Sequence, residues 1–293
     1  MRIDAPAPTA LPVSPASTPS FVVANGVRFA FFEEGRGPLV LMVHGFPDTA
    51  HTWDEVRPAV AAAGFRVVTP FTRGYAPTAI PADGAYDGDT LGRDVLALIR
   101  ALGESRAILV GHDWGASAVY SAASLEPETV AKLVTIGVPY PASIRPTPRT
   151  LWSVRHFFSL RLRGAEAMAR ANDFAHIDEL VQRWSPAWRV PPGETDAVKR
   201  AFREPGCLDA ALGYYRGLRL QLPPSQRKRI RVPTVSFAGL NDVVAPEAYD
   251  RAASWFTAGY EVVRVPGGHF MHREHPEPFI RELVRVLGSN RKG

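Results

Sequence analysis

The chain is short of cysteine, of charge of one sign and of long apolar runs, and each shortage removes a class of protein. A single cysteine, Cys207, leaves no internal disulfide and no Cys cluster for zinc, so no metal is expected and a reducing, cytoplasmic compartment fits best. No apolar run reaches the ~18 residues that cross a bilayer. The balance of 34 Lys+Arg against 29 Asp+Glu leaves +5 over 293 residues, a weak field for drawing in a polyanion. The densest basic run, Arg227-Lys228-Arg229-Ile230-Arg231, has no interleaved aromatics and reads as solvated surface, so no nucleic-acid partner is expected. The first twenty residues carry five prolines, which break up the apolar segment that a secretory signal needs. Residues 1–20 are read as a disordered leader.

What is present is a large apolar content, 46%, enough for a substantial core. From residue 21 the text becomes strand-like: FVVA, the turn Asn25-Gly26, then VRFAFFEEG, a hairpin signal. Apolar strands PLVLMVHG, FRVVTPF, AILVGHD and KLVTIGVP then alternate with helix-like stretches. That rhythm predicts an α/β fold with a mostly parallel, doubly wound sheet flanked by helices. Between Tyr140 and about Arg231 the strands disappear, and helical patterns such as VRHFFSLRLRGAEAMARA and CLDAALGYYRGLRL take over. The strands resume with PTVSFAGLND and YEVVRVPGGH, before a terminal helix near PEPFIRELVRVLG. The expected organisation is a core of residues 21–139 and 232–293 interrupted by a helical cap, 140–231.

One pentapeptide carries most of the chemical information. Gly111-His112-Asp113-Trp114-Gly115 follows an apolar strand and precedes a helix, the setting of a nucleophile elbow, except that Asp113 stands where a serine is usual. Taken alone, Asp113 could simply cap the following helix. Two more polar residues follow strand ends in the order acid, then base: Asp242 in GLND and His269 in PGGHF. Singly they read as a turn acid and a loop histidine; together with Asp113 they match the order of a hydrolase triad. His44-Gly45-Phe46-Pro47 ends the strand VLMV, in the loop that supplies one oxyanion donor in folds with this elbow. The N–H groups of Phe46 and Trp114 are the expected pair. His44 and His112 are read as structural.

HGFP, RGYAPT, GHDWG, GLND and GGHF, in that order and with a helical segment before GLND, resemble the α/β-hydrolase family, specifically its epoxide hydrolase branch, over residues of about 21–288. The resemblance implies a nucleophile at Asp113, a base at His269 and an orienting acid at Asp242. It also implies ring-opening donors from the cap. Gly213-Tyr214-Tyr215-Arg216 places one at Tyr215, and counting back from Gly164 places His156 where the family has a second tyrosine. The open alternatives at that position are a core or surface histidine, or a one-residue slip to Arg155. Tyr140 is read as a cap-hinge or pocket-wall residue. The chain departs from the family before RGYAPT, where Phe71 replaces an aspartate.

An aspartate nucleophile suits an sp³ carbon bearing a leaving group, because displacement there gives an ester that water can cleave, whereas attack on a carbonyl would give an anhydride. Epoxides and haloalkanes both offer such a carbon. An epoxide oxygen needs a proton or strong donor; halide needs only weak N–H donors. Haloalkane dehalogenases typically carry HGNP, and Phe46 lacks that amide; fluoroacetate dehalogenases share HGFP but have Arg after the nucleophile, where this chain has Trp114. The expectation is therefore a cofactor-independent hydrolase that opens a lipophilic epoxide to a vicinal diol. A haloalkane dehalogenase is the alternative, with Trp114, Trp152, Trp184 and Trp188 as halide donors. A catalytically silent, small-molecule-binding fold is the third reading. Whether two chains pair as a homodimer is left open.

Overall fold

The computed structural model describes residues 18–145, 147, 148, 152, 155–219 and 221–289. The Pro-rich leader lies outside them except at its end, where Ser20 belongs to the first strand. The sequence boundary at residue 21 is thus one residue late, because Ser20 already pairs with Phe31.

Eight strands form one sheet: β1 (Ser20–Ala24), β2 (Val27–Gly35), β3 (Leu39–Val43), β4 (Arg66–Pro70), β5 (Ala107–His112), β6 (Val130–Ile136), β7 (Thr234–Gly239) and β8 (Tyr260–Val265), in the order β1-β2-β4-β3-β5-β6-β7-β8. The β1–β2 hairpin turns on Asn25 and Gly26, whose φ angles of 45° and 75° are the two left-handed conformations that a two-residue hairpin loop of this twist requires. β2 runs antiparallel to β4, and β3 to β8 are parallel. The helices are α1 (Val56–Ala62), α2 (Gly88–Ala101), α3 (Trp114–Leu125), α4 (His156–Ser159), α5 (Ala165–Trp184), α6 (Asp196–Arg203), α7 (Cys207–Arg216), α8 (Glu247–Asp250), α9 (Met271–Glu274) and α10 (Pro276–Gly288).

The alternation of side chains along a strand sorts the central sheet into two apolar layers. Leu39, Leu41 and Val43 face one side, with Leu91 and Val95 of α2 and Val119 of α3. Val40 and Met42 face the other, with Val56 of α1 and Leu283 of α10. The first layer continues without a break into the inserted helices, through Trp184, Phe202, Leu208 and Tyr215. The insertion is therefore packed on the carboxyl ends of the parallel strands, where loops gather in open α/β sheets.

The long helical pattern read across VRHFFSLRLRGAEAMARA is divided in the structure. Gly164 adopts φ 89° between α4 and α5, and this left-handed residue cannot continue a right-handed helix. α5 itself is broken at Ala171–Phe174, where Asn172, Asp173 and Phe174 all have positive φ. The arginine of RGYAPT is structural. Arg73 is buried and grips Asp94 of α2 through Nε–Oδ2 at 2.5 Å and Nη2–Oδ1 at 2.8 Å, a bidentate pair. Phe71, beside it, packs edge-on against Phe32 at 5.4 Å between ring centroids.

Candidate active site

β5 ends directly at the elbow. Asp113 has φ 52° and ψ −117°, so its side chain stands above the strand end while α3 begins beneath it. The small neighbours make the turn sterically feasible. A Cβ at Gly111 would collide with the Gly115 carbonyl, and one at Gly115 with the Val43 carbonyl. Asp113 is fixed by its own N–H, which donates to the Ile136 carbonyl at 3.2 Å, and by its carbonyl, which accepts from Ser117 at 3.2 Å.

Asp242 follows β7 and His269 follows β8, so two adjacent strand ends deliver them to the elbow. His269 Nδ1 lies 3.3 Å from Asp242 Oδ2, and Nε2 lies 3.5 Å from Asp113 Oδ2. The imidazole is thus suspended between two carboxylates. The Nε2 atom makes no hydrogen bond of normal geometry, which leaves that side of the ring facing Asp113 across a short gap. Asp242 Oδ1 is occupied by the Val244 N–H at 3.1 Å, which keeps Oδ2 turned to the imidazole.

Electrostatics follow from this arrangement. Burial is the largest influence on His269 and disfavours its cation, yet Asp242 and Asp113 together outweigh it and raise its pKa to about 10. For Asp113, burial favours the neutral acid, but His269 and the Phe46 N–H hold it below the ordinary carboxylate range. Both influences favour an Asp113 carboxylate facing a protonated His269.

The Phe46 N–H donates to Asp113 Oδ1 at 2.8 Å. A Cβ on Gly45 would strike both Asp113 Oδ1 and the Trp114 nitrogen, so these two atoms converge over a glycine. The loop is held from below by His44, whose Nε2 accepts from the Thr72 N–H at 3.0 Å while Nδ1 faces the Gly45 carbonyl at 2.9 Å. Burial lowers His44 to about 4. His112 donates from Nε2 to the His269 carbonyl at 3.0 Å, and burial lowers it to about 3. Both rings are neutral supports.

The insertion closes the opposite side with aromatics. The Tyr215 ring meets Phe46 at 5.1 Å and Trp114 at 5.3 Å, both edge-on. Its hydroxyl is buried without a hydrogen bond of normal geometry. Burial and the Asp113 charge push Tyr215 well above its ordinary range, against a smaller opposing effect of the Trp114 indole, so the phenol keeps its proton. Tyr214 points the other way and donates to the Arg73 carbonyl at 2.9 Å, which anchors α7 to the core loop. The His156 ring lies 6.0 Å from Tyr215 and 4.6 Å from Trp184.

Seven of the expected site residues, Asp113, Asp242, His269, Phe46, Trp114, Tyr215 and His156, are thus brought together. Tyr140 is not. Its ring packs on Tyr120, Trp255 and Phe256, and its hydroxyl donates to the Lys228 carbonyl at 2.5 Å. Tyr140 is a buried tie between the two ends of the insertion, which agrees with the cap-hinge reading and corrects the pocket-wall, substrate-binding one. Trp152, offered as a halide donor, is 69% exposed and Trp188 packs on Phe270.

Phe157 and Gly137 carried no clear signal in the sequence, and Trp184, offered there only as a halide donor, has a further contact with the base. Trp184 accepts the His269 N–H on its carbonyl at 3.0 Å and sets its ring 5.4 Å from the imidazole. Phe157 stacks beside Trp114 and meets Tyr215 edge-on. A Cβ at Gly137 would lie 2.8 Å from His269 Cε1, so this glycine after β6 makes room for the base; a glycine directly after a central strand was its only trace.

A carboxylate on a nucleophile elbow, with a histidine and a second acid at the next strand ends of a parallel sheet, defines a class. The chain belongs to the α/β-hydrolase fold family, whose model matches residues 38–276, and it is a hydrolase. It is 34% identical to the AB hydrolase superfamily protein YfhM of Bacillus subtilis, over 68% of this chain and 72% of that protein. It is 30% identical to Epoxide hydrolase A of Mycobacterium tuberculosis, over 93% of this chain and 98% of that one. Among solved structures, a mutant of an epoxide hydrolase from Bacillus megaterium shares the fold with a TM-score of 0.80, at 24% identity, over 92% of this chain and 99% of that chain. Among the described residues no helix is long and apolar enough to cross a membrane, and no group of three or more His, Cys, Asp or Glu is placed to hold a metal ion.

Proposed function

We propose that the chain is an epoxide hydrolase that forms an ester on Asp113, with residues 140–231 acting as its cap. The relatives named epoxide hydrolases support the substrate class. The observation that carries the reading is the Tyr215 hydroxyl, buried beside Trp114 and Phe46 with no hydrogen bond of normal geometry and only the Trp114 indole approaching it. A polar group left so costs about 1–3 kcal/mol, and a bound epoxide oxygen would satisfy it.

In this reading Asp113 Oδ2 attacks a ring carbon, the carbon–oxygen bond breaks, and the oxygen takes the Tyr215 proton, with His156 as second donor. Oδ1, already in the Phe46 N–H, becomes the ester carbonyl. Ester formation removes one of the two negative charges beside His269, so the imidazolium loses affinity for its proton, which passes to the Tyr215 phenolate and restores the phenol. The neutral imidazole then takes a proton from water, whose oxygen adds to the ester carbonyl. Negative charge forms on Oδ1 between the Phe46 and Trp114 N–H groups, each such donor contributing roughly 3–4 kcal/mol in comparable sites. As the adduct collapses, the carbon–oxygen bond of the ester breaks and the proton of the added hydroxyl passes to the departing alkoxide, which leaves the Asp113 carboxylate, the free diol and an imidazolium steadied by Asp242.

A haloalkane dehalogenase is the second reading, because the Trp184 indole N–H is also buried without a partner and, with Trp114, would suit halide. A parallel screen of terminal epoxides, internal epoxides and haloalkanes, with diol and halide measured separately, decides between them. Diol from epoxides with little halide release is expected; halide release without diol would transfer the assignment, and silence on every substrate would favour a binding protein.

A further inference from the structure

The stretch around α4 has two unlike sides. Its inner side carries His156 and Phe157 to the Trp114–Tyr215 wall. Its outer side is built from successive three-residue turns: the Arg155 N–H donates to the Trp152 carbonyl at 3.3 Å, Phe158 to Arg155 at 3.1 Å, and Arg161 to Phe158 at 3.2 Å. Residues three and four apart share a side of such a helical turn, so Phe158, Arg161 and Leu162 lie near one another on the outer side, and Arg155 joins them to Trp152. Trp152 is 69% exposed, Phe158 63%, and the adjoining Leu162 66%. The Arg155 guanidinium lies 4.3 Å over the Trp152 ring. Three large apolar side chains this exposed and this close in the chain need a partner, unlike scattered single ones.

Charge identifies the partner. Between Glu128 and Glu166 the sequence has no Asp or Glu; of the basic residues in that interval, Arg145, Arg161 and Arg163 are exposed and Arg155 half-buried, whereas Lys132 is buried on β6 and donates to the Val286 carbonyl. Arg145, Arg155, Arg161 and Arg163 have no carboxylate partner among the described residues. We propose that this face docks on an anionic lipid surface, with Trp152, Phe158 and Leu162 entering the headgroup boundary and the arginines reaching lipid phosphates. Trp, Phe and Leu alternating with Arg is the chemistry that such a boundary takes up. A second copy of the chain is a poorer occupant, since a two-fold contact would set these arginines against their own counterparts. The docked face is the back of the segment that lines the candidate site, so a lipophilic epoxide dissolved in the bilayer would have a short path inward. That delivery role rests on the function proposed above; the docking does not.

The full-length protein is sedimented with vesicles of phosphatidylcholine, with and without phosphatidylserine. The expected result is binding at least about tenfold tighter to the phosphatidylserine vesicles, weakened by added salt. The double variant Phe158→Ser/Leu162→Ser should lose binding by about tenfold or more with an unchanged circular dichroism spectrum, since both side chains are exposed. Arg161→Glu/Arg163→Glu should erase the preference for phosphatidylserine. Absence of binding at low salt, equal binding by wild type and the Phe158/Leu162 variant, or a dimer in ultracentrifugation that this variant dissociates would overturn the proposal. Turnover of a water-soluble epoxide, measured without vesicles, reports separately on the catalytic reading.

Discussion

Asp113 sits at φ 52°, a conformation that costs a non-glycine residue on the order of 1–3 kcal/mol and holds only because the strand, the helix and two glycines over-determine it. Replacing Asp113 by Ala should leave the fold and remove turnover by on the order of 10⁴-fold or more; retained diol formation in a purified, folded variant would sink the nucleophile assignment. Tyr215→Phe deletes one hydroxyl that makes no hydrogen bond of normal geometry and is approached by the Trp114 indole. It should therefore cost little stability while slowing epoxide opening by roughly 10²-fold or more, and slow any haloalkane displacement less; the opposite ranking would point to the dehalogenase. Asp113, Asp242 and His269 were legible because each follows a strand end within a short, glycine-bearing motif, and strand ends of a parallel sheet converge. Trp184 acts on His269 through its carbonyl, which no side-chain pattern encodes. Tyr140 misled because a tyrosine after a strand looks the same whether its hydroxyl faces a substrate or the Lys228 carbonyl.

The elements meet at a small number of polar ties. Arg273 of α9 reaches Asp48 in the loop after β3 at 2.7 Å and Glu194 in the insertion at 2.6–2.7 Å, so one partly buried guanidinium joins the HGFP loop, the helix that follows His269 and the helical segment. Arg273→Ala would strand the buried Asp48 carboxylate, and a loss of about 3 kcal/mol is expected in urea-induced unfolding. A change under about 0.5 kcal/mol would show that the tie is not used. The hairpin and the alternation of strands and helices were legible from turn chemistry and apolar period. The inserted helices were less so: their breaks at Gly164 and Asn172–Phe174 depend on backbone conformations that packing selects, within a sequence whose apolar pattern alone reads as continuous helix.

At the scale of the whole molecule, the two-carboxylate setting of His269 makes both stability and chemistry depend on pH. With its pKa raised from 6.5 to about 10, the folded state holds a proton that the unfolded state has lost between these values. Its contribution to stability is full below about pH 6.5 and disappears as pH rises through about 10. Wild type should accordingly lose stability relative to His269→Gln across that interval, and parallel profiles would refute the ion-pair centre. NMR titration of the His269 ring should show a pKa well above 7 that falls in Asp113→Asn, because one of its two carboxylates is gone; no change would mean that Asp113 does not hold the proton there.

The central claim is that one carboxylate is alkylated and then released by one histidine, and His269→Gln separates the two steps. Mixed with an epoxide that the wild type turns over, this variant should form the Asp113 ester and fail to cleave it, so intact-protein mass spectrometry should show one substrate mass added, mapping to the peptide that contains Asp113. Wild-type rates of diol release by His269→Gln, or no adduct with any such epoxide, would contradict the account.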